Sequence, residues 1–378
     1  MGTRGRDDAH SIDFISHFSS LKDPRQQAKL LYPLDEVLLL TLCAVLSGAE
    51  NWVAIAAFGR KKLAFLRRFL PFEDGTPSHD QLGIIFAALD GEQFQACFIG
   101  WAGGLKTTLD GVVAIDGKTL RRSFDRTSGK GAIHMVSAFA SAQHLVLGQR
   151  QVDGKSNEIT AIPALLDLLC LKGAIVTMDA MGCQRQIAQK IITGGADYIL
   201  ALKGNQGRLR DDVELFMHEQ AGVNFCDTTV TCRDDVEKSH GRLETRKVTV
   251  CTDVSWLDAR HHWPGLASII MVEYRAAMTG KPRSERRFYI SSLTADAQLQ
   301  ARAIRDHWSI ENGLHWVMDM VFRDDECRIR KGHAAANFTT IKHAATNLLR
   351  RSTAKASLTL KRHLAAWDED FLFEILTR

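Results

Sequence analysis

A chain of 378 residues, 45% apolar and 24% charged, has the make-up of an ordinary globular protein, long enough for two domains or one large domain with an insertion. That balance excludes an intrinsically disordered chain, and the longest apolar stretch, Val37 to Leu46, is half the ~20 residues that span a bilayer. Lys and Arg number 48 against 44 Asp and Glu, and a net charge of +4 permits nucleic-acid binding without arguing for it.

The N-terminus, MGTRGRDDAHS, is polar and lacks the apolar run of a secretory signal. Residues 12 to about 105 read as four or five short helices, with apolar positions at helical spacing through LDEVLLLTLCAVLSGAENWVAIAAFGRKKLAFLRRFL. Ser78 followed by Gln81 is a capping-box pattern that starts one of them. Trp52 and Trp101 sit at helical spacing from other apolar residues and read as core. The stretch GRKKLAFLRRF places Arg60, Lys61, Arg67 and Arg68 on one short helix, either a solvated face or a grip on DNA phosphates.

From Gly111 the pattern changes. GVVAIDGK, AIHMVSAFAS and HLVLGQRQVD read as three consecutive strands. NEITAIPALLDLLCLK reads as an amphipathic helix, GAIVTMDA as a strand buried on both faces, CQRQIAQKIITGG as a helix stopped by two glycines, and ADYILALKGNQ as another buried strand. The order β-β-β-α-β-α-β predicts hairpin-linked strands followed by right-handed crossovers into parallel ones. Beyond a helix at 207–220, TTVTC, ETRKVTVCT, ASIIMVEYRA and ERRFYISSL predict antiparallel strands that either extend the sheet or form an inserted lobe. ADAQLQARAIRDHWSIENGLHWVMDMVF returns to helical periodicity, and residues 333–378 read as a basic helical tail containing Lys342, His343, Arg350, Arg351, Lys355, Lys361 and Arg362. Eight scattered cysteines form no CxxC pair, and Cys226, Cys232 and His240 fit no common metal spacing, so free thiols in a reducing cytoplasm are expected.

Asp116 closes the first apolar strand and Asp179 ends the fourth. Carboxylates at the carboxyl ends of buried strands stand where open α/β sheets place ligands. If those strands are neighbours the two side chains meet, and a divalent cation is the usual answer to their repulsion. Each Asp taken singly also reads as a turn or cap residue. Glu311, His315 and Asp319 share a helix face, and Glu311 alone would read as a solvated charge.

The segments VVAIDGKTLR, GAIHMVSAFAS, KSNEITAIPALL, MDAMGCQ, ALKGNQ, EKSHGRLETR, RFYISSL and HWSIENGLHWVMDMVFRDDECRIR, in that order, resemble the H-repeat-associated branch of bacterial insertion-sequence DDE transposases. PSHDQL is similar to that family's N-terminal associated domain. Arg122 and Met318 depart from residues its members usually carry. The resemblance implies an α/β fold, an RNase H-like mixed sheet with a β-rich insertion at about 207–293 inside a catalytic domain spanning 106–378, preceded by a small helical N-terminal domain, 1–105, as a candidate DNA-end binder. It implies that Asp116, Asp179 and Glu311 hold two Mg²⁺ ions, with Mn²⁺ able to substitute, for hydrolysis at element ends and transfer of the 3′-OH into target DNA. The partners implied are double-stranded DNA, terminal repeats and target alike, and a second copy of the chain, with no membrane. A silent DNA-binding descendant and a nuclease without strand transfer stand as alternatives. Stabilising charge on the transferred phosphoryl requires cations nearby. The candidates are Lys118, Arg121, Arg122, Lys203, Arg328, Arg330 and Lys331, with His240 and Arg242 in a loop between strand segments.

Overall fold

The computed structural model describes residues 12–105, 111–124, 129, 131–152, 157–239, 242–277 and 283–378. Six helices precede the first strand: α1 (Asp13–His17), α2 (Leu34–Leu46), α3 (Trp52–Lys61), α4 (Leu63–Leu66), α5 (His79–Ala88) and α6 (Gly91–Gly104). α2 is apolar all round, and every residue from Glu36 to Leu46 is buried. The capping box is present: the Gln81 amide donates to the Ser78 hydroxyl oxygen, and the Gln81 side chain accepts from the Ser78 amide at 3.0 Å.

The strands are β1 (Gly111–Leu120), β2 (Ile133–Ala140), β3 (Leu145–Val152), β4 (Ala174–Met178), β5 (Asp197–Leu202), β6 (Val230–Ser239), β7 (Arg242–Cys251), β8 (Ser268–Ala277) and β9 (Arg283–Ser291). They form one sheet in the order β3-β2-β1-β4-β5-β9-β8-β7-β6. β1, β2 and β3 are an antiparallel meander, β4 and β5 run parallel to β1, and β9 is antiparallel to β5. This is the expected RNase H-like mixed sheet, and its parallel register sets Ile115 beside Met178, so Asp116 and Asp179 leave neighbouring strands at the same end. The inserted strands are therefore an extension of the sheet: β9 docks on β5, and β8, β7 and β6 follow outward.

Helices α7 (Glu158–Leu168), α8 (Arg185–Thr193), α9 (Gly207–Gly222), α10 (Ser255–His261) and α11 (Ala297–His307) intervene. α11 lies on one face, its Ala303 and Ile304 packed with Val112, Ile175, Ile199, Ile270 and Tyr289. α7 and α8 bring Leu165, Ile187 and Ile191 into the main core with Val113, Ile115, Val176 and Leu200. α12 (Trp316–Met320), α13 (Ala334–Arg351), α14 (Leu358–Trp367) and α15 (Glu369–Thr377) close the chain. Trp101 is buried in the core, and Trp52, partly buried, packs against it through Phe86 and Phe338. All eight cysteines are free thiols.

The basic tail differs from its sequence pattern. Every residue of α13 from Ala334 to Leu349 is buried, and the helix runs between α2, α5, α6 and β3. Several of its polar residues are bonded to buried partners. Asn337 donates to the Phe86 and Leu89 carbonyls, Asn347 bonds both backbone groups of Val146, and Lys342 meets Asp324 at 2.6 Å. Lys361 and Arg362 are buried as well, donating to backbone carbonyls. Helical periodicity does not distinguish a solvated basic face from one whose cations satisfy buried carbonyls.

Candidate active site

Val112 of β1 packs with Ala303 and Ile304 of α11, and Asp116, the one acidic residue of β1, follows four positions on. Asp179 follows β4 directly. It caps the short 3-10 turn Ala180–Gly182, accepting from the Met181 amide at 2.8 Å, which fixes its carboxylate beside the strand end. The loop after β5 is buckled onto this turn: Asn205 donates to the Ala180 carbonyl at 2.5 Å and Gln206 to that of Cys183 at 3.0 Å. ALKGNQ thus supports the segment that carries Asp179.

Glu311 does not lie on one long helix. α11 stops at His307, and residues Glu311–His315 form a π-helical segment before α12 resumes. π-bulges of this kind insert an extra residue and re-aim side chains, often at functional sites. Here Glu311 and His315 point at Asp116. The Nδ1 atom of His315 lies 3.5 Å from Glu311 Oε2 and 3.7 Å from Asp116 Oδ2. Asp116, Glu311 and His315 each bring a potential ligand atom within 4.8 Å of the others. Asp319 does not join them. It pairs with Lys118 at 2.6 Å, a bond that ties β1 to α12.

Asp179 lies outside that group, although its charge is felt at Asp116. Burial pushes the Asp116 carboxyl up to about 7, with the charges of Glu311, Asp179 and Glu158 adding to the effect against a hydrogen bond from Gly117. Burial likewise lowers His307, whose Nδ1 meets the Thr177 hydroxyl at 3.0 Å, while Asp179 and Glu311 pull it upward. A buried carboxylate with other acidic groups close by suits a divalent cation.

Glu158 was not among the residues the sequence singled out. Its Oε1 bonds His134 Nε2 at 2.6 Å, and His134 Nδ1 bonds the Thr119 hydroxyl at 2.8 Å. The pair lies against Gly117, where a Cβ would collide with both side chains. The glycine directly after Asp116 was the available signal, because it marks a position where another group approaches the backbone.

The candidate cations divide. Arg121 is exposed and 3.3 Å from Asp325, and Arg122, Arg328 and Lys331 are exposed. Arg330 lies over Phe124 and donates to the Arg122 carbonyl at 3.0 Å, which joins the end of β1 to the segment after α12. Lys203 is exposed at the end of β5 and lines a cavity of about 370 Å³ beside Asp179, together with His307, Trp308, Arg286 and Arg287. Lys118 is committed to Asp319. In the N-terminal region, α3 ends at Lys61 and Arg67 and Arg68 follow α4, so the four cations do not share one helix. Arg67 donates to the Phe72 carbonyl at 2.9 Å, and Arg68 lies 3.8 Å from Asp370 and 4.4 Å from the centre of the Phe373 ring. Arg60 and Lys61 are exposed. His240 and the Arg242 side chain fall outside the described residues, although the backbone of Arg242 opens β7.

The Transposase DDE domain family matches residues 107–348, and the DDE_Tnp_1-associated family matches residues 15–102. YhhI of Escherichia coli K12, whose name places it with the H repeat-associated transposases, is 43% identical over 96% of this chain and 97% of its own. YncI of Escherichia coli O157:H7, named as a transposase, is 41% identical over 96% of this chain and 94% of its own. Among solved structures, a piggyBac transposase synaptic complex with hairpin DNA is a distant likeness, with a TM-score of 0.45 and 11% identity over 97% of this chain and 80% of that one. The chain belongs to the DDE transposases, in the H repeat-associated branch of bacterial insertion-sequence transposases.

Proposed function

We propose that the protein cuts DNA at the ends of an insertion sequence and joins the freed 3′-OH to target DNA, with Asp116, Asp179 and Glu311 holding two divalent cations, Mg²⁺ or Mn²⁺. The observation that carries this reading is the approach of Glu311 to Asp116, which sits in β1 one residue past its pairing with β4, with Asp179 fixed at the end of that neighbouring parallel strand. When bound, two such cations activate the attacking oxygen and stabilise the leaving 3′ oxygen of an in-line displacement.

The chain's own residues supply the rest. Asp116 feels the charges of both Asp179 and Glu311 and is the group able to serve both cations, and a bound cation would offset the burial and the neighbouring charges that raise it. The Met181 amide holds Asp179 in one orientation. Lys203 is exposed at the cavity beside Asp179 and draws in DNA phosphate, while Arg286 and Arg287 on its wall are paired with Glu273 and Glu285. Arg121, Arg122, Arg328, Arg330 and Lys331 extend the cationic surface on the far side of Asp116, and Arg60 and Lys61 are the proposed contacts of the helical region with the DNA ends. Residues 1–105 and 106–378 serve in this reading as the DNA-end and catalytic parts, and paired-end chemistry needs two copies of the chain.

A labelled duplex carrying the element's end, incubated with the purified protein and Mg²⁺, tests the proposal. Cleavage and joined products from the wild type, both absent from Asp116→Asn while binding persists, support it. Binding without cutting would identify a silent DNA-binding descendant, and cutting without joining a plain nuclease. Wild-type-like cutting by Asp116→Asn would remove the metal site from this place.

A further inference from the structure

We propose that His315 is itself a metal ligand, holding one of the two cations together with Asp116 and Glu311. The inference rests on the two-cation reading of the site and adds a nitrogen donor to its carboxylates.

Three observations carry it. Among the described residues, Asp116, Glu311 and His315 form the group of acidic, His and Cys side chains whose potential ligand atoms converge within 4.8 Å. Nδ1 of His315 faces both carboxylates, at 3.5 and 3.7 Å. Those separations exceed the ~2.7–3.2 Å of a sound N–H···O bond. An octahedral ion ~2.1 Å from each ligand holds adjacent ligands about 3.0 Å apart, so the groups would need to close on it by about half an ångström. The ring is 6% exposed, and its Nε2 is buried with no hydrogen-bond partner, so no second hydrogen bond accounts for where it points. Glu311 and His315, four residues apart on the π-helical segment, both reach Asp116 of β1.

A nitrogen ligand has a chemical consequence. Mg²⁺ and Ca²⁺ take hard oxygen shells, whereas an imidazole donor favours transition-metal ions. The site should therefore bind Mn²⁺ more tightly than Mg²⁺, and His315 should be the source of the preference.

The test uses full-length protein loaded with Mn²⁺ and examined by pulsed electron paramagnetic resonance, with affinity taken from the loss of the free-ion signal. The wild type should show ¹⁴N coupling from a directly bound imidazole. His315→Asn, whose amide can fill the Nδ1 position, should lose that coupling and bind Mn²⁺ at least about tenfold more weakly, while Mg²⁺ affinity changes less. His315→Gln is the second variant, should the first fold poorly. Mn²⁺ binding that depends on Asp116 but shows no ¹⁴N coupling would overturn the His315 assignment and leave the carboxylate site standing. Coupling that survives in both variants would also overturn it, placing the nitrogen on another histidine. No Mn²⁺ binding at all would overturn the assignment together with the carboxylate site beneath it.

Discussion

Burial, and then the neighbouring charges of Glu311, Asp179 and Glu158, hold the Asp116 carboxyl near 7 in the fold against 3.8 in an open chain. A group raised on folding favours the native state below its unfolded value and loses that advantage as pH climbs through its folded one. Without a cation, then, ionised Asp116 costs stability at pH 8, on the order of a few kcal/mol at about 1.4 kcal/mol per pH unit. Asp116→Asn removes the charge and keeps the shape. The metal-free variant should melt a few degrees above the wild type at pH 8 and level with it near pH 4, as differential scanning calorimetry would record. Mn²⁺ should narrow the gap by stabilising the wild type alone. A variant that melts below the wild type at pH 8 would contradict the crowding described. Asp116 and Asp179 were legible in sequence because each closes an apolar strand run, and strand ends in such sheets are where ligands bind. Glu158 and His134 were not, because their meeting at Gly117 depends on how α7 packs back over β2, a long-range event that no local pattern records.

At the scale of elements, the sheet was legible and the helix carrying Glu311 only in part. Runs of β-branched and apolar residues with turn signals located β1 to β5 and the inserted strands. Whether the insertion extended the sheet was undecided, because period-2 alternation fixes which faces a strand buries and not which edge it joins. HWSIENGLHWVMD keeps enough helical spacing to hide the break between α11 and α12, since an inserted π turn shifts phase by one residue only. The shift is what separates Asp319 from Glu311 and His315 and gives it to Lys118, at 2.6 Å with both side chains less than a third exposed. Lys118 is therefore a positioning residue, holding the Glu311 segment over β1. Lys118→Met and Asp319→Ala should each lower the melting temperature and weaken Mn²⁺ binding. In the double variant the stability losses should fall short of additive by about 1 kcal/mol. Strict additivity would mean that the pair does not couple the strand to the helix.

Over the whole molecule, cations are divided between interior and surface in a way that a net charge of +4 conceals. Lys342 and Asp324 are 1% and 2% exposed, and their pair fastens α13 at the centre of the helical layer. Asp324→Ala strands a buried ammonium and should cost about 3–5 kcal/mol in denaturant unfolding, whereas a solvated tail would tolerate the change. With Lys342, Lys361 and Arg362 inside, and Arg67 and Arg68 engaged by neighbouring groups, the exposed candidates for DNA are Arg122, Arg328, Lys331 and Lys203 around the strand ends, Arg121 beside Asp325, and Arg60 and Lys61 on α3. Phosphate contacts release counterions, and each adds about 0.9 to the slope of log affinity against log salt. Replacing Arg121 and Arg122 together with Gln should therefore weaken binding of an end-containing duplex and flatten that slope by one to two contacts' worth. Arg60→Gln with Lys61→Gln should do the same if α3 also meets the DNA, and Arg67→Gln with Arg68→Gln should do less, since those guanidinium groups are already occupied. Fluorescence anisotropy of the full-length variants between 50 and 300 mM salt, about the range over which such contacts are lost, separates the surfaces. An unchanged slope for the Arg121 and Arg122 variant would place the DNA elsewhere, even if cleavage were lost, because loss of cleavage alone also follows from a displaced β1 end.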